Sequence, residues 1–176
     1  MGNIITRRRA LGWMGGISLL QSSALKLLSE APAAVGSRVP RFHVNTATGR
    51  INDPQRPLWM NGCWNLWILW NKDFPDGRGT VWLHFTSDDL VHWTERGTSI
   101  PKNTTPYGDV WTGSSVVDKA NTAGFGRDTV VALMTMPCTP MGGQGTGRWY
   151  SHDGGASFQF DSVVMTNPRA KDSNLR

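Results

Sequence analysis

Beyond its first thirty-odd residues the chain is predicted to be all-β, and three observations carry that expectation. Nine Trp and twenty Gly occur among 176 residues, a composition of short strands and tight turns rather than helices. No segment keeps a 3.6-residue apolar period for the length of a core helix. Short β-branched and aromatic runs alternate instead with Gly-, Asn- and Asp-containing turns.

The runs follow in order. Trp64 to Trp70 is aromatic-rich and ends in an Asn-Lys-Asp turn. Thr80 to Phe85 forms the next strand, after Asp76-Gly77-Arg78-Gly79. Trp111 to Asp118, Thr129 to Met136 and Arg148 to His152 supply three more. Two of these runs are followed by the same signal: Ser87-Asp88-Asp89 leads to Trp93, and Ser151-His152-Asp153 leads to Phe158. The second resembles the Asp-box turn of sialidase-like propellers, in which the Asp accepts bonds from turn amides and an aromatic ring packs beneath. A unit recurring after 64 residues suggests β-propeller blades with long loops; a pair of ordinary hairpin turns is the alternative. At about 60 residues per blade, the segment holds roughly two blades, fewer than the four or so that close a propeller.

The start of the chain has a different character. Thr6-Arg7-Arg8-Arg9-Ala10-Leu11 resembles a twin-arginine export motif, an apolar stretch Leu11 to Leu28 follows, and Ala31-Pro32-Ala33 is a small-residue cleavage pattern. Residues 1–33 are therefore expected to be a signal peptide for the twin-arginine machinery, giving a secreted or periplasmic product. Lys26 interrupts the apolar stretch, so no stable membrane anchor is expected. Residues 1–33 carry four basic residues and one acidic one, leaving 14 basic and 12 acidic in residues 34–176. The sequence pI near 9.7 thus belongs largely to the export segment, and no basic stripe suggests nucleic acid. Cys63 and Cys138 are the only cysteines; export permits a disulfide, whereas folding before export in a reducing compartment favours two thiols.

The chemistry-bearing segments are Phe42-His43 with Asn52-Asp53-Pro54; the aromatic strand ending at Asn71; Trp82-Leu83-His84 with Thr86-Ser87-Asp88-Asp89-Leu90-Val91-His92-Trp93; and Trp111-Thr112-Gly113-Ser114-Ser115-Val116-Val117-Asp118. Asn-Asp-Pro in isolation reads as a turn with a solvated Asp. The ordered set, together with Asn121 to Gly126 and Asp153-Gly154-Gly155, resembles glycoside hydrolase family 32: invertases, inulinases, levanases and levan fructotransferases. The resemblance covers about residues 40–176 and implies the first two or so blades of a five-bladed β-propeller, with a β-sandwich following the propeller.

It also implies a retaining glycosidase on fructans, with two carboxyl groups about 5 Å apart. The family's nucleophile falls on Asp53, with Asn52 bonding a sugar hydroxyl. Trp82 and Trp111 are expected as walls of the fructose pocket, their flat rings suiting the apolar face of a furanose, and Thr112 as a donor to the same sugar. Arg176 matches the Arg of the family's Arg-Asp-Pro. The Glu-Cys-Pro that carries the acid/base does not occur in these residues. The segment is therefore expected to be a truncated N-terminal part, almost inert alone, because general-acid assistance is typically worth about 10²–10⁴-fold. Asp109, Asp118 and Asp153 match neither missing carboxyl and are expected in turns. Leu69 stands where many members carry Gln, and the Asp53-Pro54-Gln55-Arg56-Pro57 variant is similar to bacterial levanases and levan fructotransferases, favouring β-2,6-linked levan. A non-catalytic fructan binder and an arabinan-cleaving relative are the other readings. The four His are scattered and form no acidic or His cluster, so no metal or other cofactor is expected.

Overall fold

The computed structural model describes residues 43–140 and 142–167, which contain nine strands and no helix. The strands are β1 (Arg50–Pro54), β2 (Leu58–Met60), β3 (Cys63–Asn71), β4 (Val81–Ser87), β5 (Thr94–Ile100), β6 (Gly113–Asp118), β7 (Thr129–Met136), β8 (Gln144–Ser151) and β9 (Gln159–Asn167). They form two antiparallel sheets. One has the order β1-β3-β4-β5, with β2 also on β3; the other is β6-β7-β8-β9. Each sheet is a meander of the kind that makes a propeller blade, so the expectation of about two blades holds. The stretch expected to be a signal peptide and Arg176 lie outside the described residues.

Strand alternation places the cores. On β3, Trp67 and Leu69 face one way and Leu66 and Ile68 the other; on β4, Trp82 opposes Leu83 and Phe85. Trp67, Leu69 and Trp82 join Val130, Ala132, Met134, Met136 and Trp149 of the second sheet, and Phe158 of the turn before β9, in one buried cluster. This cluster is the seam between the blades. The second blade's other face leaves Val116, Leu133 and Met165 about half exposed.

The two Ser-x-Asp signals build turns at the same place, between the third and fourth strands of each blade, with different amide spacings. Asp153 accepts from Ser151 Oγ (2.7 Å), the Ser157 amide (2.9 Å) and Ser157 Oγ (2.6 Å). Asp89 accepts from the amides of Val91 (2.9 Å) and His92 (2.7 Å) and from Ser87 Oγ (3.1 Å). These donors hold both carboxyls below the ordinary carboxylate range. The second turn also ties the blades together: the Gly155 carbonyl accepts from Trp67 Nε1 (3.1 Å) and Ser99 Oγ (2.6 Å), both on the first blade. Phe158 packs edge-on against Trp67 and Trp82.

Four strands were not apparent in the sequence. Strands β5 and β9 are the outermost of their blades; β5 is mostly polar and exposed, and β9 mixes polar residues with a short Val163–Met165 run, so neither carries the long apolar signal of an inner strand. Strands β1 and β2 are short, and Asn52-Asp53-Pro54 lies within β1 rather than in a turn ahead of a strand. Cys63 and Cys138 are free thiols.

His84 is 6% exposed and stacked on Trp67 at 4.9 Å. Asn65 Nδ2 is committed to the Met60 and Cys63 carbonyls, so its Oδ1 faces His84 Nε2 (2.8 Å), which must be the protonated nitrogen. Burial lowers the His84 pKa to about 4, with Arg96 adding to the effect. An unfolded chain binds that proton near pH 6.5, so the stability tied to neutral His84 is complete above pH 6.5 and is lost as pH falls toward 4. Its size is on the order of 2–3 kcal/mol. Urea melts of the full-length protein at pH 7 and 4.5 should show a larger drop for wild type than for His84→Gln. Equal drops would contradict this assignment.

Candidate active site

Strand β1 pairs with β3 through Ile51↔Trp70 and Pro54↔Ile68, with a bulge between. Three steps along β1 therefore match two along β3, and the extra residue breaks strict alternation. The consequence is chemical: consecutive residues Asn52 and Asp53 both line one cleft. That cleft, of about 170 Å³, is completed by Leu69 and Thr80 of the first blade and by Trp111, Thr112 and Thr135 of the second.

Asp53 is held from several sides. Thr112 Oγ1 donates a hydrogen bond to Asp53 Oδ2. Gln55 is 2% exposed and bridges the blades: its Nε2 donates to the Asp53 carbonyl (2.8 Å), and its Oε1 accepts from the Gly113 amide (2.7 Å). Its own amide donates to the Trp67 carbonyl (2.8 Å). Gly113 lets β6 lie close against β7, since a Cβ there would sit 2.4 Å from the Leu133 carbonyl oxygen. The Trp111-Thr112 segment is pinned to β7 by two backbone bonds, Trp111 N to Thr135 O (3.0 Å) and Thr135 N to Thr112 O (2.9 Å). Such a carboxylate has a fixed position in the wall of the cleft, which is what a nucleophile or an electrostatic stabiliser needs.

Of the expected site residues, the fold brings together Asn52, Asp53, Trp111 and Thr112. Two placements revise the expectation. Trp82 is 0% exposed and does not line the cleft; it packs in the seam and donates from Nε1 to the Trp111 carbonyl (3.0 Å), steadying a wall instead of forming one. Thr112 spends its hydroxyl on Asp53 and so orients the carboxylate. Gln55, Thr80 and Thr135 were missed as site residues. Gln55 was visible only as an unusual residue after Asn-Asp-Pro, and its partners lie up to 58 positions away.

Asp53 is the only carboxylate lining the cleft among the described residues. Asp118 caps the β6–β7 turn, accepting from the Thr122 (2.9 Å) and Ala123 (2.7 Å) amides, Asp109 accepts from the Asn103 amide (2.6 Å), and Asp153 serves its turn. No group of three or more His, Cys, Asp or Glu able to hold a metal occurs among the described residues.

Residues 43–176 match the N-terminal domain of glycosyl hydrolases family 32. The chain is 49% identical over 133 residues to a levanbiose-producing levanase of Bacillus subtilis, covering 74% of this chain and 26% of that protein. It is 52% identical over 122 residues to a levanbiose-producing levanase of Geobacillus stearothermophilus, covering 68% and 31%. The chain thus spans about a quarter to a third of the length of these curated relatives. Among solved structures, β-fructofuranosidase of Schwanniomyces occidentalis complexed with fructosyl-erythritol superposes with TM-score 0.59 at 29% identity, over 69% of this chain and 25% of that one. Exo-inulinase of Aspergillus awamori superposes with TM-score 0.58 at 27% identity, over 73% and 28%.

Proposed function

The chain belongs to glycoside hydrolase family 32, and from that membership we propose that it carries the nucleophile half of a retaining active site that cleaves β-2,6-linked fructan. The family's fold is a five-bladed propeller, of which residues 43–167 form two blades. The observation that carries the proposal is the clamped carboxylate: Asp53, fixed by Thr112 and Gln55, faces a cleft walled by Trp111 and Asn52. Levan is favoured over sucrose or inulin because the two relatives at 49–52% identity are levanases.

In this reading Asp53 attacks the anomeric carbon of a fructosyl unit while an acid protonates the departing oxygen; water then releases the sugar from the ester. Asn52 bonds a hydroxyl of that unit and Trp111 lies against its apolar face. The acid/base carboxyl is assigned to sequence beyond these 176 residues, as is the Asp that would follow Arg176 in Arg-Asp-Pro. Residues 1–33 act as a twin-arginine-type signal and the enzyme works outside the cytoplasm. Transfer of the fructosyl group to a sugar hydroxyl, as in a levan fructotransferase, uses the same first step and differs only in the acceptor.

The test is digestion of levan, inulin, sucrose and arabinan by the full-length protein. Fastest turnover of levan is expected, with the β-anomer released first. Fastest turnover of inulin or sucrose would overturn the linkage assignment, and binding of levan without cleavage would leave a fructan-binding protein. The 176 residues alone are expected to be poorly soluble and to release no fructose, since one cleft carboxyl cannot supply both roles.

A further inference from the structure

Strand β6 follows directly on Thr112 of the Asp53 cleft and ends at Asp118; β7 starts at Thr129 and brings Thr135 back to the cleft. The six residues of β6 span about 20 Å at ~3.3 Å each. At that far end, between the two blades, lies a separate cavity of about 400 Å³ that shares no residue with the Asp53 cleft. Its size falls in the range of about 300–1,000 Å³ typical of ligand pockets. Buried Met60 and Val130 line it, and exposed Trp59, Asn61, Lys119, Asp128 and His152 surround them.

The aromatic wall is held in place. Trp59 is 52% exposed, yet its ring packs edge-on against Trp64 at 5.3 Å, across the β2–β3 pair. Asn61 and Gly62 join those strands with φ of 53° and 78°, the two-residue turn whose twist matches a hairpin. The tip of this hairpin reaches the second blade, where a Cβ on Gly154 would lie 3.0 Å from Asn61 Nδ2. A half-exposed indole on a fixed hairpin is a preorganised surface, and binding to it costs little ordering entropy. Around it stand an ammonium donor, a carboxylate acceptor and a carboxamide that does both. Lys119 and Asp128 carry opposite charges and neither is in an ion pair among the described residues. The lining therefore suits a ligand without net charge that has hydroxyl groups and one apolar face.

We propose that this cavity is a second fructan-binding site, in which Trp59 stacks on a sugar ring while Asn61, Lys119 and Asp128 bond its hydroxyls. The inference rests on the fructanase reading and deepens it, giving the polymer a hold remote from the bond that is cut. Holding one stretch of a long chain raises the effective concentration of the rest near Asp53.

The experiment is calorimetric titration of full-length Asp53→Asn, which does not consume its ligand, with a levan tetrasaccharide. Two sites per molecule are expected, and one in Asp53→Asn/Trp59→Ala. Lys119 is exposed, so Asp53→Asn/Lys119→Ala removes a donor without disturbing packing and keeps the test valid if the Trp59 variant misfolds. It should weaken the second site about 10-fold, the worth of one charged hydrogen bond. A single site in Asp53→Asn would overturn the proposal, as would two sites left undiminished by both further substitutions. Displacement of the tetrasaccharide from the second site by inorganic phosphate would also overturn it, because Lys119 would then serve an anion. Failure of wild type to cleave any fructan would instead sink the parent reading, which the loss of the second site alone leaves standing.

Discussion

Replacing Asp53 with Asn in the full-length protein is expected to lower kcat on levan by on the order of 10⁴-fold, the scale seen when a nucleophilic machinery loses one member. The side chain keeps its shape and can still accept from Thr112, so the folded structure and the affinity for levan should change little. The loss is expected in kcat rather than KM, because the bond to the anomeric carbon forms only as the transition state is approached. Asp153→Asn is the informative companion. It removes charge from a carboxylate that is equally well bonded but sits in a turn, so it should lower stability while leaving kcat within a few-fold of wild type. If Asp53→Asn keeps more than a tenth of wild-type kcat, Asp53 is not the nucleophile.

The second large effect concerns the seam between blades. Gly155 has φ +85°, and a Cβ built on it would lie 2.2 Å from Trp67 Cζ2. Trp67 is 0% exposed at the centre of the seam and has no room to yield. Gly155→Ala therefore combines left-handed backbone strain with overpacking, and it threatens the bonds that the Gly155 carbonyl receives from Trp67 and Ser99. A cost of about 3–5 kcal/mol is expected, a large part of a typical domain's 5–15 kcal/mol. Gly62 provides the internal comparison: its φ is +78°, yet nothing lies within 4 Å of a Cβ there. Gly62→Ala should cost only about 1 kcal/mol, the strain alone. Chemical denaturation of both variants measures the difference; equal costs would mean that the turn does not dock the blades.

The sequence disclosed this protein unevenly, for reasons that residues make plain. Strands β3 and β7, with apolar residues on both faces, announce themselves as continuous runs. The Ser-x-Asp turns were legible because the turn-forming residues sit within a few positions of one another. Outer strands such as Thr94–Ile100 were hidden because one face and one edge meet water, leaving no apolar signal. In the site, Asn52, Asp53, Trp111 and Thr112 were found through ordered motifs, without any way to see that Thr112 would reach Asp53 across 59 positions. Trp82 illustrates the converse. An aromatic residue within a motif suggests a sugar platform, while its place on β4 turns it into the seam, where the indole N–H serves the Trp111 carbonyl. Gln55 could not be read locally at all, since its value lies in joining three backbone segments that only the packed blades bring together.

The most direct test of the central claim is to quench the full-length protein in acid during turnover of levan and locate the added mass by peptide mass spectrometry. Asp53 is expected to carry a fructosyl ester, and the peptide spanning Arg50–Pro54 should gain the mass of the bound sugar in wild type and not in Asp53→Asn. A fructosyl ester on any other residue, with Asp53 unmodified, would contradict the account.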